Sequence, residues 1–221
     1  TDLFGKNLLA IAKEKAGIIK SQSLFFTCEP RPSLRRFFKD TCRQQDTTFI
    51  AVPTQKTVAL QNQQLVRTVV SSLGLTYCDD QTPLFPLPGR WEQISSKPDI
   101  ILDGAHNRLK MRSVVERLKQ QHYQRLFLLI GIAQNKAHGQ ILKEIIPYAD
   151  RVFYTRFQDP QRKCAHPSQL ERRARPSLKH HVTTSQHLEP MQALSQAKQE
   201  ANAGDLILVT GSFLLVRELH L

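Results

Sequence analysis

Four continuous apolar runs dominate the second half of the chain: "DIILD" from Asp99, "RLFLLIGI" from Arg125, "DRVFYTRF" from Asp150 and "DLILVTGS" from Asp205. A strand that is apolar along its whole length must be covered on both faces. A mostly parallel sheet flanked by helices provides that cover. The segments between the runs have helical spacing of apolar residues: 107–121, "HGQILKEIIPYA", "PSQLERRA" and 187–202, with a weak strand, "HHVTTS", before the last. The pattern predicts a doubly wound α/β domain.

The first half reads as a shorter alternation. "LLAIAKEKA" predicts a helix stopped at Gly17, and "SLFFTCEP" a strand ended by Pro30. "PSLRRFFKDTCRQQ" predicts a helix with Ser33 as its cap behind Pro32, "TTFIAV" a strand, and "LQNQQLVRTVVSSLGL" a helix ending near Gly74. In "DDQTPLFPLPGR", Pro83, Pro86, Pro88 and Gly89 crowd together, which marks a linker. Two domains are therefore expected, 1–85 and 86–221.

The net charge of +12 requires an anionic partner to be considered. Its basic residues are scattered through "RPSLRRFFK", "RLKMR", "QRK" and "ERRARPSLKHH" rather than clustered with aromatics. That distribution suits solvated faces and help for an anionic ligand better than a nucleic-acid surface. Cys28, Cys42, Cys78 and Cys164 form no C-x-x-C pair, so neither a zinc site nor a disulfide scaffold is expected. Reduced thiols suit a cytoplasmic protein. No apolar run approaches the roughly 20 residues of a membrane span. The start at Thr1 has no secretory-signal form and no Met, and reads as an internal start.

Ligands of open parallel sheets bind beyond the carboxyl ends of the strands. Four such ends carry polar chemistry: Asp103-Gly104-Ala105-His106-Asn107; Gly131 with Asn135-Lys136; Arg156, Asp159, Arg162 and Lys163; and Thr210-Gly211-Ser212. Asp103 could take a ribose hydroxyl or simply hold a turn. His106 could meet a phosphate or bond a nearby carbonyl. Asn107 fits a helix cap, and Gly104 a tight turn or a close ligand approach. Gly211-Ser212 could cradle an anion or end a strand. His180-His181 reads as a surface loop. No phosphate loop of G-x-x-x-x-G-K-[ST] form, G-x-G-x-x-G, H-E-x-x-H or G-x-S-x-G is present.

In order along the chain stand "EKAGIIK" (14–20), "PLPGRWEQIS" (86–95), "ILDGAHN" (101–107) and "DLILVTGSFLLVRE" (205–218). Together they resemble the folylpolyglutamate synthase/dihydrofolate synthase branch of the Mur ligase superfamily, over essentially the whole chain. The resemblance implies the end of a P-loop-type α/β ATPase domain followed by a Rossmann-like C-terminal domain. It implies an ATP-dependent ligase that joins L-glutamate to folate, or to dihydropteroate, through an acyl phosphate with Mg²⁺. A cytoplasmic monomer is common in that branch.

Residue by residue, Lys15 matches a lysine carbamylated in the family, where it supports the metal indirectly. Arg90 matches an arginine on the nucleotide phosphates. Asp103 matches the acid at the ribose and the interdomain site. His106 matches a histidine with a catalytic or ATP-contacting role, and Gln64 stands at the adenine-contacting asparagine. Lys136 lies where the family has D-K-D, with both acids replaced. Arg108 replaces a proline, and "GSFLLV" stands for "GSLYLV". The family's phosphate loop and acidic metal ligand would precede Thr1, so the chain alone is expected to be inactive. The alternatives are a peptidoglycan-precursor Mur-type ligase and a non-catalytic basic α/β binding module.

Overall fold

The computed structural model describes residues 7–76 and 87–220. The chain forms two compact units, Thr1–Pro83 and Leu84–Leu221. The first part of the proline-rich stretch, with Pro83 and Pro86, and the boundary expected after residue 85 lie outside the described residues, whereas Pro88 and Gly89 lie within them.

In the first unit, α1 (Leu8–Ala16) is capped by the Asn7 side chain, which accepts the Ala10 amide at 2.8 Å. Strands β1 (Leu24–Thr27) and β2 (Thr48–Ala51) pair in parallel, with α2 (Pro32–Gln44) between them in the chain. Helix α3 (Val58–Ser72) follows, capped by Thr57. Ser33 is not the cap of α2. Arg31 takes that place without a side-chain cap bond, because a guanidinium has no acceptor to offer, and Pro32 at the first helical position supplies the helical φ. The unit's core is small: Ala12, Ala16, Ile19, Leu34, Phe38 and Cys42, with Phe25, Phe37 and Phe49 packed at its margin.

The second unit holds β3 (Glu92–Ser96), β4 (Asp99–Asp103), α4 (Arg108–Leu118), β5 (Leu126–Ile130) and α5 (His138–Ile145). A 3-10 turn leads to β6 (Arg151–Tyr154), α6 (Pro167–Ala174), β7 (Thr183–Gln186), α7 (Pro190–Glu200), β8 (Leu206–Thr210) and α8 (Phe213–Leu219). The sheet order is β3-β4-β8-β5-β6-β7, parallel except for the antiparallel edge strand β3.

Strand alternation sorts the core into two layers. Ile101, Leu128, Ile130, Val152 and Leu208 face α4, α5 and α6 through Met111, Val114, Ile141, Leu142 and Leu170. Ile100, Leu102, Phe127, Leu129, Phe153 and Val209 face α7 and α8 through Leu194, Leu215 and Leu219. Strands β5 and β8 are buried at every position, as continuous apolar runs require.

The two-sided cover positions the site. Strands β4 and β5 hand over to helices on one face of the sheet, and β8, between them, hands over to α8 on the other. Connections that part in opposite directions leave a crevice at the carboxyl ends. At its base, Gly211 adopts φ +106°, and a Cβ there would lie 2.5 Å from the Gly131 carbonyl oxygen. Only glycine allows the ends of β8 and β5 to approach this closely.

Candidate functional site

Asp103 ends β4 and spends both carboxylate oxygens on backbone amides. Oδ1 accepts from Ala105 at 2.9 Å and Oδ2 from Trp91 at 3.0 Å. The second bond fastens the Gly89–Arg90–Trp91 turn to the end of β4. The Gly104 amide donates to the Gly89 carbonyl at 2.8 Å, and the Gly89 amide to Glu92 Oε2 at 2.7 Å. The turn is tight: Gly89 has φ +67° and Trp91 φ +53°, both left-handed. Arg90, between them, is held out and exposed. Burial pushes the Asp103 carboxyl above its ordinary pKa, against the pull of the two amides and of Arg117 and Arg90.

His106 follows on the same connection. Its Nδ1 lies 2.8 Å from the Gly104 carbonyl. A carbonyl can only accept, so Nδ1 carries the proton and Nε2 keeps a lone pair in the neutral ring. Burial lowers the imidazole pKa, and Lys110, Lys136 and Arg162 lower it further. Asn107 caps α4 by accepting the Lys110 amide at 2.9 Å. Ser212 caps α8 through the Leu214 amide at 3.1 Å, so Gly211-Ser212 ends a strand and starts a helix.

Phe213 was not among the residues expected from sequence, yet it touches most of the site. Its ring covers Gly104 so closely that a Cβ there would lie 2.3 Å from the ring edge. It meets the His106 ring edge-on with centroids 5.8 Å apart, and carries the Arg90 guanidinium at 5.1 Å and the Lys110 ammonium at 5.8 Å. Lys110 was likewise missed. Its only sequence signal is a cation in the first turn of α4, where a helix dipole would not ask for one.

The remaining strand ends gather on the same rim. Lys163 accepts the Gln134 amide at 2.9 Å through its carbonyl, and Ala133 bridges Cys164, which joins the loops after β5 and β6. Asp159 braces the second loop by accepting the amides of Gln161 and Arg162 at 3.1 and 3.0 Å. A cavity of about 620 Å³ opens beside it, lined in part by Arg156, Arg162 and Lys163.

Lys15 and Gln64 belong to the first unit. Lys15 is exposed in the last turn of α1. Gln64 is half-buried on α3, and its carbonyl accepts the Thr68 hydroxyl at 2.8 Å. Among the described residues no three His, Cys, Asp or Glu side chains stand close enough together to hold a metal. No helix among them is long and apolar enough to cross a membrane. His180 and His181 are exposed.

Residues 89–213 match the family described as "Mur ligase, glutamate ligase domain". A Haloferax volcanii protein named "probable bifunctional folylpolyglutamate synthase/dihydropteroate synthase" is 30% identical over 135 residues, 59% of this chain and 15% of that protein. E. coli FolC, solved with DHPP and ADP, superposes with a TM-score of 0.80 at 22% identity, over 100% of this chain and 57% of that one. The bifunctional folylpolyglutamate synthase/dihydrofolate synthase of Yersinia pestis, solved with AMPPNP and Mn, superposes at 0.78 with 24% identity, over 100% of this chain and 59% of that one. The chain thus spans under two thirds of each of these relatives.

Proposed function

The chain belongs to the Mur ligase family by its glutamate ligase domain, and on that premise we propose that it is the rear portion of an ATP-dependent ligase that adds L-glutamate to folate or dihydropteroate. The observation that carries this reading is the rim itself. Arg90, Lys110 and Lys136 converge near a neutral histidine with no acid in ion pair with them among the described residues. Such a setting suits the oxygens of a nucleotide's phosphates.

When bound, ATP supplies the phosphoryl group that turns the acid's carboxylate into an acyl phosphate. Glutamate's amine then attacks the acyl carbon, and inorganic phosphate leaves. Arg90 orients phosphate oxygens from a turn held at three points. Asp103 sets that turn, and its proximity to a bound ribose is the second role proposed for it. His106 presents Nε2 and can accept the proton that the incoming ammonium must lose. Gln64 is proposed to meet the adenine, and Lys15, as a carbamate, to support Mg²⁺ indirectly. The described residues offer no ligand set for the metal, so its first ligands belong, on this reading, to the remainder of the enzyme.

The test is ATP- and L-glutamate-dependent extension of dihydropteroate and tetrahydrofolate by the full-length product of the gene. Arg90→Ala and His106→Ala should each lower kcat/KM by about 100-fold. Ordinary turnover by both variants would remove these residues from the site.

A further inference from the structure

Lys110 is partly buried and makes no ion pair among the described residues, although it stands beside another cation. Its ammonium and the Arg90 guanidinium share one aromatic ring, at 5.8 and 5.1 Å from its centroid. A ring face offsets part of the repulsion between two such charges, but not all of it. The acid whose charge acts on it, Asp103, has already committed both oxygens to the amides of Trp91 and Ala105. Burial, Arg90 and Lys136 together push the Lys110 ammonium below its ordinary pKa, and only the Asp103 charge pulls it back. The helix position adds nothing favourable, since a cation in a first helical turn opposes the dipole.

We propose that Lys110 is a second phosphate ligand of this site, held beside Arg90 on the ring of Phe213, which acts as a positioning residue for both cations. This rests on the reading of the rim as nucleotide-facing. An incoming polyphosphate oxyanion would pair with both cations at once and remove their mutual repulsion. Phe213 performs the positioning because Gly104 lets its ring lie flat over the start of the strand-to-helix connection.

The experiment is calorimetric titration of the full chain with inorganic pyrophosphate, with ADP and with L-glutamate. Lys110→Met should weaken pyrophosphate and ADP about tenfold, and Lys110→Arg should restore both. Phe213→Leu keeps an apolar cover over Gly104 but has no π face. It should weaken pyrophosphate about threefold, with Phe213→Tyr as the rescue. Thermal midpoints close to the parent's certify folding of each variant. A loss confined to pyrophosphate assigns Lys110 to free phosphate, and a loss shared with ADP assigns it to the nucleotide. If the parent chain binds and Lys110→Met binds equally well, the inference fails and the proposed function stands. If Lys110→Met loses L-glutamate alone, the site is a carboxylate site and the inference fails. If the parent binds neither phosphate ligand, the inference and the nucleotide reading fail together.

Discussion

At the scale of single residues, His106 has the clearest consequence. Its proton sits on Nδ1 against the Gly104 carbonyl, and burial with three nearby cations disfavours a second one. The folded chain therefore binds fewer protons than the unfolded chain near the ordinary histidine pKa of about 6.5. This contribution to stability is present above that pH and is lost as pH falls from it through the lower value of the folded state. In NMR titration of the unliganded chain, His106 should titrate below the ordinary histidine value of about 6.5. Saturating pyrophosphate should move it upward, because an anion stabilises imidazolium. A His106 that titrates at or above about 6.5 would refute this. Sequence showed that Asp103 and His106 were of the right type and at a strand end. It could not show that both Asp103 oxygens face backbone amides, because one of those amides is Trp91, contributed by a separate turn.

At the scale of elements, the junctions of β4 and β8 with their helices depend on two glycines for different reasons. Gly211 needs a left-handed φ, whereas Gly104 needs the absence of a side chain beneath Phe213. Gly104→Ala should cost about 1–3 kcal/mol by overpacking. In the Gly104→Ala/Phe213→Ala double variant much of that cost should vanish, since the added methyl then fills space the ring has left. Urea denaturation of the two single variants and the double gives the coupling. Additive effects would show that the ring and the glycine are not in conflict. Two elements escaped the sequence. Strand β3, "EQISS", is a polar edge strand and lacks the apolar run that announced its neighbours. Helix α8, "FLLVREL", follows β8 so closely that both read as one apolar stretch. The break between them is the φ of Gly211, which composition does not display.

At the scale of the whole molecule, the two units differ in how much core they own. The second covers both faces of a six-stranded sheet, while the first, among the described residues, buries seven apolar residues and exposes Leu8, Ile18, Val58 and Leu73. A chain of residues 87–221 should therefore fold alone, with a stability in the ordinary range of about 5–15 kcal/mol. Trp91 is the only tryptophan and lies in this unit, so its fluorescence gives a local probe. Its urea transition should coincide with the far-UV circular dichroism transition. Separate midpoints, or no transition, would show that the core layers are insufficient.

Sequence alone determined the fold class, because continuous apolar strands alternating with amphipathic helices can be buried in few ways. It also determined which strand ends carry polar chemistry, because parallel strands bring their carboxyl ends to one rim. Tertiary structure decided what those ends do. It used Asp103 to anchor the turn bearing Arg90, joined the loops after β5 and β6, and placed the Phe213 ring against Gly104 and within about 6 Å of two cations. These contacts join residues far apart in the chain. They arise from the side of the sheet each crossover takes and from close backbone approach at glycine, which periodicity along a single strand or helix does not encode.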